Sequence, residues 1–299
     1  MTIQRIRRTL GLAMGLAVAL TATGALSASA AASAADLLTE VRALGMGGAF
    51  VGLADDEAAT RFNPAGLAFF DSRAINVHYN RQFGSANAFS LVGALPHFGG
   101  GLRLVSTGGI EGRNANDETT STFSYTDVAL TAANGWALSD LGLGLENLAI
   151  GSRLTADIAS TRNGGGFGGG LDLGVLWRSQ RPGFLPLAEM RAGMSLRNAP
   201  GTGPFSIKTG IGARPISALA IALDVGFPLA FHLGGEFSVT DLPSPLSGLD
   251  VRAGTFVEGS SLSLTFGFGV GVASFRVDYA FASHSVLPGT HRLAVVWTF

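Results

Sequence analysis

Five histidines, three consecutive acids and one glycine run are the places where this chain could do chemistry. His78, His97, His232, His284 and His291 are scattered. None has the His-Glu-x-x-His spacing that sets two imidazoles and a base on one helix face, so no metal site is expected. His284 beside Ser285 pairs a base with a hydroxyl. A working nucleophile also needs an oriented acid and an elbow turn, and the flanking residues supply neither. Asp55-Asp56-Glu57 has the charge for calcium, but adjacent acids lack the alternating spacing of a calcium loop and read as solvated charge. The run GGGFGGG at 164–170 is not followed by Lys-Ser/Thr, so it reads as a flexible loop joining two strands and not as a phosphate cradle. The expectation is a protein that is not an enzyme and carries no cofactor.

The elements around these residues have a period of two. Ile75, Val77 and Tyr79 alternate with Asn76, His78 and Asn80, and Leu293, Val295 and Trp297 alternate with Arg292, Ala294 and Thr298. Such alternation gives a strand one apolar and one polar face. Counting runs of this kind predicts about fourteen strands of ~9–11 residues, long enough to cross a bilayer when tilted. Their centres fall near residues 77, 91, 104, 129, 153, 173, 193, 209, 222, 234, 254, 266, 278 and 295. The fold class expected is all-β, an antiparallel transmembrane barrel over 73–299. Polar loops are expected at 108–120 and 163–170 on the outer side, with connections at 179–187 and 240–248 on the periplasmic side. That direction puts Trp136, Trp177 and Trp297 together at the periplasmic ends of their strands, as an interfacial belt requires.

The polar faces carry Arg153, Asp157, Arg178, Arg191, Arg252, Arg276, Asp278 and Arg292. An arginine facing mid-bilayer lipid costs about 2–4 kcal/mol, so these charges belong in the lumen or at the rims. There they either line a polar conduit or form ion pairs that hold something inside.

Ahead of the strands lies 35–72, which lacks the alternation. Its centre, RALGMGGAFVGLADDEAATRFNPAGLAFF at 42–70, has small-residue turns at Gly45, Met46, Gly47 and Gly48 and at Asn63, Pro64, Ala65 and Gly66. Glycine frees the backbone at the first turn, and proline fixes φ at the second. Between them sit Asp55 and Asp56. The segment suits a plug inside a barrel, and equally a linker or a first hairpin. As a plug it would turn Asp55-Asp56 toward lumen arginines.

Residues 1–34 read as a secretory signal peptide: basic Arg5, Arg7 and Arg8, an apolar core at 10–20, and small residues before the cleavage site. Removing three of the 20 basic residues leaves 17 against 21 acidic ones, which excludes a basic nucleic-acid binder. Cysteine is absent, so disulfides and a lipoprotein anchor are excluded. Charged residues are 14% of the chain, against about 25% in soluble domains. The 43 glycines are about twice the usual share. Export, few charges and abundant glycine point to a membrane β-structure or a repetitive surface protein.

The motifs at Arg42 to Phe50, Asp55-Asp56 and Asn63 to Leu67 resemble the N-terminal signature of the PorV/PorQ-like outer-membrane proteins, within the FadL-like barrel group. RAGMSLRN at 191–198, FRVDYAF at 275–281 and LPGTHRLAVVWTF at 287–299 are similar to that group's later strands. The resemblance implies a barrel embedded in the lipid of the bacterial outer membrane that admits a small hydrophobic molecule from outside, which meets the plug and leaves through a plug shift or a lateral gap in the wall. It also implies, as the alternative, an accessory barrel in protein secretion or a structural barrel. Trp297 and Phe299, closing an alternating aromatic strand, look like the signal read by outer-membrane assembly machinery.

Overall fold

The computed structural model describes residues 40–82, 86–161, 164–180, 182, 187–259, 261–285 and 287–299; the signal-peptide reading lies outside them. Fourteen strands follow one another in chain order. They are β1 Ala74–Gln82, β2 Ala86–Leu95, β3 Phe98–Arg113, β4 Thr119–Ala137, β5 Leu148–Thr161, β6 Gly164–Gln180 and β7 Glu189–Arg197. The second half has β8 Ser206–Ile216, β9 Leu219–Phe227, β10 Ala230–Val239, β11 Leu246–Glu258, β12 Ser261–Val272, β13 Phe275–Ala282 and β14 Thr290–Thr298. Each pairs antiparallel with its neighbours, and β1 pairs with β14 from Ala74↔Thr298 to Asn80↔Arg292, which closes the barrel. Closure removes the unpaired edges that an open sheet would leave. All fourteen expected centres fall inside these strands.

Alternation sets the two faces. On β11, Val251 is 65% exposed while Arg252 is 2% exposed, and on β9, Leu223 is 45% exposed while Asp224 is 0% exposed. The large apolar side chains form the outer surface and the charged ones point inward. A soluble sandwich has the opposite arrangement. The turns at 96–97, 217–218 and 273–274 share one end of the barrel with both ends of the strand array. Trp136 and Trp297 stand at that same end. Trp136 stacks on His97 at 4.4 Å, and Trp297 lies 4.5 Å from the Phe299 ring.

Two expected loops are strand instead. At 108–120 only 114–118 separate β3 from β4, with a register shift between Thr107 and Ile110. At 163–170, the six glycines and Phe167 of 164–170 pair with β5 from Thr161↔Gly164 to Thr155↔Gly170. Glycine shows no side-chain pattern, yet its backbone groups take a ladder partner when one strand is already extended. The 240–248 connection is also shorter than expected, because β11 begins at Leu246.

Candidate functional site

Residues 40–70 lie against the inward faces of the strands. The segment forms helix α1 (Val41–Gly45), a turn with Gly47 and Gly48 at φ +66° and +75°, helix α2 (Ala59–Phe62) and a 3-10 helix (Pro64–Phe69). Asn63 caps the last of these: its Oδ1 accepts from the Ala65 amide at 3.3 Å. Its Nδ2 donates to the carbonyls of Val51 and of Val175 on β6, both at 3.0 Å. Proline at the first helical position needs no amide partner. The chain can run this close to the wall because many inward positions beside it are glycine. A Cβ on Gly234 of β10 would overlap the Met46 carbonyl, and one on Gly254 of β11 would overlap the Gly47 nitrogen.

Irregular backbone inside a barrel needs partners for its polar groups, and wall side chains provide them. The Asp224 carboxylate accepts from the amides of Phe50 and Val51 at 2.7 Å each, and from Gly52 at 3.4 Å. His232 Nδ1 meets the Gly47 carbonyl at 2.8 Å, and Thr265 Oγ1 accepts from the Gly47 amide at 3.0 Å. Arg191 donates to the Leu53 carbonyl at 2.9 Å. Arg153 and Arg197 both donate to the Arg61 carbonyl, at 2.8 and 3.3 Å.

The charges form a continuous buried network. Arg42 in α1 grips Glu236 with two parallel bonds, Nε to Oε2 at 2.8 Å and Nη2 to Oε1 at 2.7 Å. Its Nη1 holds Asp55 at 2.6 Å and Asp56 at 2.8 Å. Glu236 also takes Arg252 at 2.6 Å, and Arg252 reaches Asp278 at 2.7 Å and Asp250 at 3.0 Å. Asp278 in turn holds Arg276 at 2.8 Å. Asp55 accepts from Arg214 of β8 at 2.6 Å. Bidentate, charge-assisted pairs of this kind are the stronger hydrogen bonds of a fold.

The other singled-out side chains face inward as well. Arg153 pairs with Asp172. Arg178 bonds Glu189 at 2.9 Å and lies 5.7 Å from the Phe69 ring. Asp157 and Arg292 line a cavity on the side of the segment away from the chain termini. Arg42, Asp224, Glu236, Arg214 and His232 belong to the same set; the sequence places Glu236 on a polar strand face, Arg42 in the N-terminal motif and His232 among scattered histidines, and gives Asp224 and Arg214 no role. A signal existed for Asp224. The other inward residues of β9 are Ala220, Ala222 and Gly226, so one carboxylate among small residues marks space for something inside.

Burial and the neighbouring Asp56 push the Glu57 carboxyl up from its ordinary 4.5 to about 7. Its Oε1 accepts from Asn76 Nδ2 at 2.8 Å. Against burial, Arg42, Arg191 and Arg214 hold Asp55 well below the usual carboxylate range. For Glu57 the folded value lies above the unfolded one, so the docked state binds more protons between them. Its contribution is complete below about 4.5 and is lost as pH rises through 7. Glu57→Gln should therefore strengthen docking of the segment at pH 8, by up to ~3 kcal/mol, and flatten its decline from pH 5 to 8. Hydrogen exchange of the amides of 40–62 against pH measures this; an unchanged profile would contradict the assignment.

The cavity has a volume of about 610 Å³. Leu44, Gly47, Arg61 and Phe62 of the segment contribute its floor. On the terminal side, the lumen is filled by Ala54, Ala65, Leu67 and Phe70 packed on Leu176 of β6. Among the described residues, no group of three or more His, Asp or Glu is placed to hold a metal ion.

No protein-family model matches the sequence, and no curated protein matches it. Solved structures do. A Pseudomonas aeruginosa FadL homologue superposes with a TM-score of 0.56 at 11% identity, over 87% of this chain and 98% of that one. The CymD monoaromatic hydrocarbon channel gives 0.55 at 13% identity, over 86% and 96%. The fold is the FadL-like barrel. A TodX monoaromatic hydrocarbon channel carrying the deltaS2 mutation gives 0.51 at 11% identity, over 86% and 97%. These neighbours support the FadL-like part of the resemblance; the PorV/PorQ part rests on the sequence motifs alone.

Proposed function

We propose that this FadL-like barrel is an outer-membrane channel for small hydrophobic molecules, with residues 40–70 as its plug. The observation that carries the reading is a lumen open as a cavity on one side of the segment and filled on the other. An even strand count places both termini in the periplasm, so the cavity faces outward and the filled side inward. Strand pairs close every seam of the wall, from β1·β14 through β13·β14. Exit therefore runs through a shift of the segment and not through a gap in the wall. Glycines 47 and 48, already at positive φ, are the positions where the backbone turns at least cost.

Vesicles carrying the purified protein should take up toluene faster than protein-free vesicles measured in parallel. Equal rates would contradict passage. Trp297 and Phe299 belong to the same proposal as the strand presented to assembly machinery: Phe299 extends β14 by donating its amide to the Arg73 carbonyl at 3.0 Å.

A further inference from the structure

On the outside of the barrel, the wall around the β1–β14 closure changes character toward the end away from the chain termini. The outward residues of β1 run Ile75, Val77, Tyr79, Arg81, and those of β14 approach the same end as Val295, Leu293, His291. On β2 the outward series is Leu91, Phe89, Asn87. Register puts the polar ends level. Tyr79 is paired with Phe89 and with Leu293, and Arg81 is paired with Asn87. Asn80↔Arg292 is the pair beyond Tyr79↔Leu293, so the next step sets Arg81 beside His291. Arg81, Asn87 and His291 are all exposed and form one polar row.

Two tyrosines occupy the acceptors of that row. The Tyr79 hydroxyl donates to Asn87 Oδ1 at 2.9 Å, and the Tyr279 hydroxyl lies 2.6 Å from His291 Nδ1. What faces outward is the Asn87 amide nitrogen, His291 Nε2 and the Arg81 guanidinium. Among the described residues, Arg81 makes no ion pair and no side-chain hydrogen bond. The outward positions of β1, β2, β13 and β14 carry no carboxylate. A row of donors without acceptors is complementary to an anion, and the anion selects the tautomer in which Tyr279 donates and Nε2 carries the proton.

We propose that the outer wall of β14, β1 and β2 binds the phosphate headgroup of a lipid in the outer leaflet. The proposal rests on the placement in the outer membrane and not on passage through the lumen. Height decides for a lipid over a dissolved anion. His291 stands six residues from Trp297 on β14. With about 3.4 Å per residue and a tilt of about 40°, the row lies roughly 16 Å above the tryptophan level, inside an apolar band about 25 Å tall. Donors at that depth are costly unless a headgroup reaches down to them, and a dissolved anion does not enter the band. The fork of Arg81 matches two phosphate oxygens. Below it, Val77, Leu91 and Val295 are exposed and give the acyl chains a surface to cover.

Phosphatidic acid and diacylglycerol differ by one phosphate, which makes them the probes, with inorganic phosphate as the anion lacking acyl chains. Native mass spectrometry of the full-length mature protein in detergent should show phosphatidic acid held about tenfold more tightly than diacylglycerol. Inorganic phosphate at equal concentration should not displace it. Arg81→Gln should weaken phosphatidic acid about tenfold, and Arg81→Lys, which keeps a phosphate-binding charge, should stay within about threefold of wild type. Arg113→Gln, on the exposed β3–β4 hairpin, should change nothing. Equal retention of the two lipids would overturn the proposal. Displacement by inorganic phosphate would do so too, since the site would then serve a free anion. An Arg113→Gln loss equal to that of Arg81→Gln would mean that any surface cation suffices, and would also overturn it. Toluene uptake is a separate readout: a barrel that admits toluene but does not discriminate the lipids loses this site and keeps the channel.

Discussion

Gly234→Val should convert a closed barrel into a conducting one. Gly234 on β10 is paired with Gly254 on β11, and together they form a flat patch on which Met46 and Gly47 rest. A Cβ at 234 would overlap the carbonyl, carbonyl carbon and Cα of Met46, all backbone, so no side chain can swing aside. Overpacking a core usually costs about 1–3 kcal/mol even where side chains relax. Here the wall is a hydrogen-bonded barrel and the segment is held by local contacts, so the segment is what moves. It then loses the His232 and Thr265 bonds to Gly47. The expected result is a folded, heat-modifiable barrel with raised ion conductance. Gly108→Ala, where a Cβ meets nothing within 4 Å, should behave as wild type. A Gly234→Val barrel as closed as wild type would mean that the close approach is not what seats the segment.

Arg252→Leu should cost more than any surface charge change. The Arg252 side chain is fully buried and bonds Glu236, Asp278 and Asp250. Truncating it leaves three acids with too little compensating charge, and breaking a buried pair typically costs about 3–5 kcal/mol. Because Glu236 also anchors Arg42, the loss reaches α1 and should lower both barrel stability and protection of the segment. Arg252→Lys should not restore either, since a single ammonium cannot serve three carboxylates in a planar fork. Arg113→Ala, in an ion pair with both partners more than half exposed, should change stability by about 0.5 kcal/mol or less. Denaturant unfolding compares the three; equal midpoints would show that the buried network contributes nothing net.

The strands were legible because an apolar outer face and a polar inner face write a period of two into the residues. Val251 beside Arg252 is one letter of that pattern. It failed where side chains are missing: the six glycines around Phe167 carry no alternation, and only the β5 partner makes 164–170 a strand. The inward direction of Arg153, Arg191 and Arg252 could be read from their own strands. Their partners could not, since Glu236–Arg252 depends on the β10–β11 register and Arg42–Glu236 on how the N-terminal segment threads the lumen. Asp55 and Asp56 were expected to face lumen arginines. Arg214 of the wall meets Asp55, but Asp56 bonds Arg42 of the segment itself. Arg42 sat within a recognised motif, yet nothing in its neighbours showed that it links the segment to the wall.

Single-channel conductance of the intact protein and of a protein lacking residues 42–70 tests the central claim most directly. The strands close through β1·β14 without the segment, so the deleted protein should still shift on unheated gels. In planar bilayers the intact protein should stay near zero and the deleted one should conduct steadily. A folded deletion protein with the same near-zero conductance as the intact one would contradict the claim that residues 42–70 close the barrel.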